Sequence, residues 1–281
     1  MRGNKADPDA FRDRVVALTG AASGIGKALA LELASRGAHL ALADWNAEGL
    51  EEVRVAVERR GRHATAERLD VSDRDAVFAW AEASIAAHGH VDAIINNAGV
   101  TVADSFEAMS YEDFEWIMGV NFWGVVHGMK AFLPHFLRRD RGHLVTVSSV
   151  FGIIGYPGQA AYNATKFAVR GMTEAVRQEL AGTNVHTLVV HPGGIKTNIV
   201  RNARFHRDAA GSQDKNESVA QFERVAKTTP EKAAEVILGA MARKEPRVLI
   251  GADAEIIDKT QRLFPVDYPK AIDRVIKLLD R

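Results

Sequence analysis

Residues 14–37 read RVVALTGAASGIGKALALELASRG, and this stretch decides the fold class. RVVALTG (14–20) is a short apolar run of strand length ending in glycine. IGKALALELASRG (25–37) carries apolar residues at helical spacing and is stopped by Gly37. Strand, glycine turn and helix then repeat outward. AHLALAD (38–44) and HATAERLD (63–70) read as strands around a helix over AEGLEEVRVAVERRG (47–61). Asp73 is placed to cap a helix that runs to Gly89, and VDAIINNAG (91–99) is the next strand. A long helix is expected over 111–137, trimmed or kinked by Pro134, then a strand at 142–149, a helix at about 159–180 and a strand at 184–190. A helix over 230–244 with Pro230 in its first turn precedes a last strand, PRVLIG (246–251).

Alternating buried strands and amphipathic helices predict an α/β fold: a doubly wound, parallel, seven-stranded sheet with helices on both faces. The reading gives one domain over residues 13–281, preceded by a frayed extension at 1–12. Within it, the polar stretch 196–229 is expected to be a mobile loop or lid with at most a short helix, and 252–281 an amphipathic tail. In such sheets ligands bind beyond the carboxyl ends of the strands, so function is sought there.

Composition narrows the chemistry. The 281 residues carry zero formal net charge, which gives no global attraction to nucleic acid or an anionic membrane. There is no cysteine, so disulfides, thiolate metal sites and cysteine nucleophiles are excluded, as suits a reducing cytoplasm. The amino terminus lacks the apolar core of a secretory signal, and no apolar run reaches spanning length. His127, His143 and His191 lack ligand spacing and read as packing or surface residues, so no metal is expected.

The turn TGAASGIG (19–26) sets Gly20, Gly24 and Gly26 between a strand and its helix. A phosphate at a helix amino terminus needs backbone N–H groups and no side chain in the way, which glycine supplies. The spacing is not the commoner G-x-G-x-x-G, and a plain glycine turn is the bland alternative. Asp44 closes the next strand, where a carboxylate can bond an adenosine ribose and repel a 2′-phosphate; the alternative is a helix cap. Trp45 follows it, with no Arg or Lys beside it to hold such a phosphate. Asp70 is likewise a cap or an adenine contact. Tyr162 and Lys166 lie one helical turn apart, on one face. A free tyrosine has a pKa near ~10, and a neighbouring ammonium is expected to lower it.

In order along the chain, TGAASGIG, LDV (69–71), NNAG (96–99), Asn121, VSS (147–149), Tyr162-x-x-x-Lys166 and HPGGIKT (191–197) resemble the short-chain dehydrogenase/reductase family. The likeness runs from about residue 14 to 200. It implies hydride transfer between a nicotinamide dinucleotide and a secondary alcohol or ketone, with Tyr162 as acid/base. By the same resemblance Ser149 bonds the substrate oxygen, with Ser148 the bland neighbour. Lys166 holds the nicotinamide ribose, and Asn121 joins a water relay. The implied cofactor contacts are Gly20, Ser23, Gly24, Ile25, Gly26, Asp44, Asp70, Val71, Asn97, Ala98, Gly99, Tyr162, Lys166, Pro192, Gly193, Ile195 and Thr197. NAD is expected over NADP because of Asp44. Val150, Phe151, Ile153, Ile154 and Tyr156 are either an apolar substrate wall or loop packing. A homodimer or homotetramer through helices 111–137 and 159–180 is implied. The readings set against this one are a non-catalytic dinucleotide sensor or scaffold, and an epimerase or dehydratase of longer related families.

Overall fold

The computed structural model describes residues 9–272. Of the extension expected over 1–12, residues 1–8 lie outside the described residues, as does the end of the tail, with Val275, Ile276 and Leu279; residues 9–12 are not frayed but form a turn that buries Phe11 in the core. The strands are β1 (Val15–Thr19), β2 (His39–Asp44), β3 (Ala64–Arg68), β4 (Ala93–Asn96), β5 (Val102–Ala103), β6 (Gly142–Val147), β7 (Val185–Pro192), β8 (Arg204–Phe205) and β9 (Arg247–Ile250). The helices are α1 (Gly24–Ser35), α2 (Ala47–Glu58), α3 (Arg74–His88), α4 (Tyr111–Met118), α5 (Gly124–Arg138), α6 (Ala160–Glu179), α7 (Lys215–Val225), α8 (Pro230–Ala242) and α9 (Ala252–Leu263).

Seven strands form one parallel sheet in the order β3-β2-β1-β4-β6-β7-β9. The chain winds outward from β1 in one direction and from β4 in the other, so a crevice opens at their carboxyl ends. Strand periodicity builds both faces. Val16, Leu18, Leu40, Leu42, Ile95, Val145 and Val190 pack with α1, α2 and α8. Val15, Ala17, Ala41, Ala43, Ile94 and Leu144 pack with residues of α3, α5 and α6 on the other face. β1 is buried along its whole length, which is why its sequence is apolar without alternation.

Two expectations need correction. The long helix runs through Pro134 to Arg138 instead of being trimmed, and Gly119–Trp123 forms a π-helical turn between α4 and α5. Stretch 196–229 is not a bare loop. It contains β8 and α7, and β8 pairs in parallel with β5, matching Val102 to Arg204 and Ala103 to Phe205. Asp113 binds both Arg204 (2.8 Å) and His206 (2.7 Å), and the Arg204 guanidinium lies 3.8 Å from the centre of the Trp116 ring. Arg207 pairs with buried Asp104 at 2.9 Å.

Candidate active site

The glycine turn is shaped by contacts that exclude side chains. Gly20 and Gly24 have φ of 66° and 51°, where an L side chain is strained. A Cβ on Gly26 would stand 1.8 Å from the Gly20 carbonyl oxygen. Thr19 ties this turn to the NNAG segment: its Oγ1 accepts from the N–H groups of Asn97 and Ala98, both at 3.1 Å. The Asn97 amide donates to the Thr19 and Gly20 carbonyls at 3.1 Å, so that side chain holds the turn and does not face outward. Ser23 is the N-cap of α1 yet makes no side-chain cap bond, which leaves its hydroxyl and the first N–H groups of the helix for an anion. Thr197 stands over this end, its Cγ2 being 3.1 Å from where a Gly24 Cβ would be.

Asp44 is not the cap of α2; Asn46 is, accepting from the Gly49 N–H at 3.2 Å. The Asp44 carboxylate instead spans the turn and the helix entry, accepting from Ala22 N–H (2.9 Å) and Asn46 N–H (2.8 Å). Asp70 is not a helix cap either. Asp73 fills that role, while Asp70 accepts from the N–H and hydroxyl of Ser72. Val71 is buried and packs where Gly124 leaves room. The expectation that no cation stands beside Trp45 fails. β3 pairs Arg68 with Asp44 across the sheet, and the Arg68 guanidinium lies 4.6 Å from the centre of the Trp45 ring.

Ser149, Tyr162 and Lys166 converge beyond β6, on the last residue of a strand extension and one face of α6. The Ser149 hydroxyl lies close enough to the Tyr162 phenol to favour its ionised form, and Ser149 Oγ accepts from Phe151 N–H at 3.1 Å. Ser148 points away and donates to the Lys166 backbone carbonyl at 2.8 Å, pinning α6 to the strand. Lys166 Nζ donates to the Val147 carbonyl at 3.0 Å and lies 5.5 Å from the centre of the Tyr162 ring. Asn121, fully buried in the π-helical turn, brackets the Val100 backbone, donating to its carbonyl (2.9 Å) and accepting from its N–H (2.8 Å). Gly99 sits where a Cβ would be 3.4 Å from Asn121 Oδ1 and 3.5 Å from Lys166 Nζ.

The electrostatics differ from the expectation. Burial pushes the Tyr162 phenol up to about 12, opposed only by the nearby Ser149 hydroxyl, and burial pulls Lys166 down to about 8. Desolvation of the phenolate dominates the Tyr162 environment, and the Lys166 ammonium is itself desolvated and turned to Val147.

At the end of β7, Gly193 N–H donates to the Ile250 carbonyl at 2.9 Å. Ile195 bridges Thr228 in parallel through the Gly194 carbonyl and the Lys196 N–H, so its own N–H and C=O point the other way, as a carboxamide contact would need. Pro192 closes β7 and fixes the backbone there.

Of the expected apolar wall, Val150, Ile153 and Ile154 are buried as loop packing. Phe151 and Tyr156 stack at 5.2 Å, and Phe151 meets Tyr162 edge-on at 6.1 Å. Asn163 went unnoticed in the sequence. Its amide donates to the Phe151 (2.8 Å) and Ile154 (2.7 Å) carbonyls and its Oδ1 accepts from Tyr156 N–H (3.0 Å), so it shapes the wall. A polar residue next to Tyr162, on a helix face that must be buried, was the available signal. The three histidines do not meet: His191 Nδ1 is 3.0 Å from the Ser149 carbonyl oxygen, His127 Nδ1 is 3.2 Å from that of Val71, and His143 lies on β6 against His186. Among the described residues, no group of three or more candidate ligands could hold a metal ion.

Comparison with known proteins bears on this arrangement. Residues 14–208 match the family described as short chain dehydrogenase. A Mycobacterium tuberculosis protein named as an oxidoreductase, SadH, is 43% identical over 265 residues, covering 93% of this chain and 95% of that one. The uncharacterized oxidoreductase Lmo0432 of Listeria monocytogenes is 38% identical over 192 residues, 68% of this chain and 77% of its own. Among solved structures, a short chain dehydrogenase/reductase from Burkholderia phymatum in complex with NAD superimposes with a TM-score of 0.81 at 28% identity, over 90% of this chain and 94% of that one. Levodione reductase superimposes with a TM-score of 0.79 at 29% identity, over 87% and 99%.

Proposed function

The chain belongs to the short-chain dehydrogenase family, whose members are oxidoreductases using a nicotinamide cofactor, and on that premise we propose that it oxidises a secondary alcohol, or reduces the ketone, with NAD(H). The observation that supports this reading most is the convergence of Ser149, Tyr162 and Lys166 at the NNAG segment, which Asn97 and Thr19 tie to the glycine turn.

The residues present fit a dinucleotide. The α1 amino terminus with its unused Ser23 hydroxyl suits the pyrophosphate, Asp44 the adenosine ribose, Lys166 the nicotinamide ribose, and the outward Ile195 backbone the carboxamide. When bound, the nicotinamide ring supplies the carbon that gives or takes hydride. The protein's own part is proton chemistry and orientation. Ser149 donates a hydrogen bond to the substrate oxygen and fixes it beside the Tyr162 phenol. Tyr162 takes the hydroxyl proton in oxidation and returns it in reduction. Lys166 bonds Val147 through one N–H, which leaves two for ribose hydroxyls and a proton route. In an occupied site its charge is the nearest means of offsetting the burial that disfavours a phenolate.

Asp44 favours NAD, since a carboxylate faces a 2′-phosphate with like charge. Arg68 on Trp45 moderates that preference without removing it, because Asp44 is anchored by two backbone N–H groups. The substrate is apolar near its reacting carbon. Phe151, stacked on Tyr156, supports this, as it packs with Val102, Ile117, Met109, Phe114 and Tyr162 in one apolar cluster. A panel of apolar secondary alcohols with NAD, followed by absorbance of the reduced cofactor, tests the reading. NAD reduction by at least one member is the expected result; no turnover by any alcohol, with the matching ketones inert with NADH, would count against it.

A further inference from the structure

The carboxyl-terminal segment reaches both loops of the candidate site. α9 starts at Gly251, whose φ of 99° turns the chain back over the end of β7. Asp253, in its first turn, accepts the Gly194 N–H through Oδ2 at 2.6 Å. A Cβ on Gly193 would stand 2.1 Å from that oxygen, and one on Gly251 2.2 Å from Oδ1. Two glycines therefore leave a slot that fits this carboxylate and no larger neighbour. The Gly194 carbonyl accepts from Thr228 N–H at 3.3 Å, so this residue is held on both sides. Farther along, the Tyr268 hydroxyl accepts the Gly155 N–H at 2.9 Å, in the loop that presents Phe151 and Tyr156. Between these two points α9 is fixed to the sheet edge by Asp258, which binds Arg247 of β9 at 2.6 Å.

We propose that this segment is a brace with two feet: Asp253 is a positioning residue for the backbone that docks the nicotinamide end of the cofactor, and Tyr268 is one for the substrate-side loop. What the feet serve rests on the nicotinamide reading above; that they hold their loops does not. Gly193 and Gly194 are adjacent glycines, the residues with most backbone freedom to lose. Left free, they would lose it when cofactor binds, at a cost in affinity. A charge-assisted bond from Asp253 to Gly194 fixes them beforehand, and with them the direction of the Ile195 N–H and C=O. Tyr268 does the same for Gly155 at the tip of the aromatic wall.

Amide hydrogen exchange on the cofactor-free chain, together with NAD titration by tryptophan fluorescence, tests the brace. Asp253→Ala should speed exchange in residues 193–197 at least fivefold and raise the Kd for NAD at least fivefold. Asp253→Asn keeps an oxygen acceptor and should restore both to within about twofold. Tyr268→Phe should speed exchange in residues 150–158 and leave the Kd for NAD within twofold. Unchanged exchange at 193–197 in Asp253→Ala would overturn the proposal, as would equal weakening of NAD by Asp253→Ala and Tyr268→Phe. If the unmodified chain failed to bind NAD, the cofactor reading would fall, and the exchange rates would still decide whether the two residues hold their loops.

Discussion

In the proposed reading Asp44 selects the cofactor and Tyr162 moves the proton, and each is defined by its surroundings more than by its own type. Asp44 offers its remaining lone pairs from a carboxylate already fixed by Ala22 and Asn46. NAD should be preferred over NADP by at least tenfold in kcat/KM, or ~1.4 kcal/mol. Asp44→Ala should weaken NAD and narrow the gap, and steady-state kinetics with both cofactors checks this; equal efficiencies in the unmodified protein would remove Asp44 as the selector. The candidate site residues could be picked out in the sequence because glycine turns and the Tyr-x-x-x-Lys pair have a fixed spacing on one element. The position of Arg68 was not legible, because it comes beside Trp45 through strand pairing and not through sequence proximity. Nor was the raised phenol: a one-turn spacing brings Lys166 near Tyr162, but the spacing says nothing of how dry both are.

At the scale of elements, the strand and helix order was readable from periodicity and from glycine and proline punctuation. β5 and β8 were not, being two residues each and paired across a hundred positions with no pattern to betray them. The π-helical turn at Gly119–Trp123 was also hidden, since its residues keep an ordinary helical sequence while Asn121 is rotated inward to Val100. Packing sets the predictions here. Leu18 is fully buried in the middle of β1, so Leu18→Ala should cost about 2–5 kcal/mol in urea unfolding. Gly26→Ala forces a Cβ onto the Gly20 carbonyl and should cost about 1–3 kcal/mol, with NAD binding lost as the turn shifts. Wild-type stability and NAD affinity in that variant would show that the turn yields without consequence.

Taken whole, the molecule holds histidines that stay neutral while it is folded and take up protons when it unfolds in acid. His143 and His191 are each pulled to about 4, chiefly by burial. Unfolded, each takes a proton near ~6.5. Between those values the unfolded chain binds more protons, so stability falls as pH drops from about 6.5 to 4, by up to ~1.4 kcal/mol per unit for each histidine. Urea midpoints at pH 7 and 5 check this; a flat profile would contradict it. Exposed Trp123 on the π-helical turn and Phe167 on α6 lie on the helices expected to pair copies of the chain, and sedimentation at micromolar concentration should give a dimer or tetramer. The proposed site sets one proton-transfer residue, Tyr162, beside a dinucleotide site built mostly by other residues. Its most direct test is Tyr162→Phe, which removes one oxygen, assayed for turnover of an alcohol that the unmodified enzyme oxidises and, in parallel, for NAD affinity. The account predicts turnover down by about 10²–10⁴ with the Kd for NAD within a few-fold of the unmodified enzyme; turnover within a few-fold would contradict it.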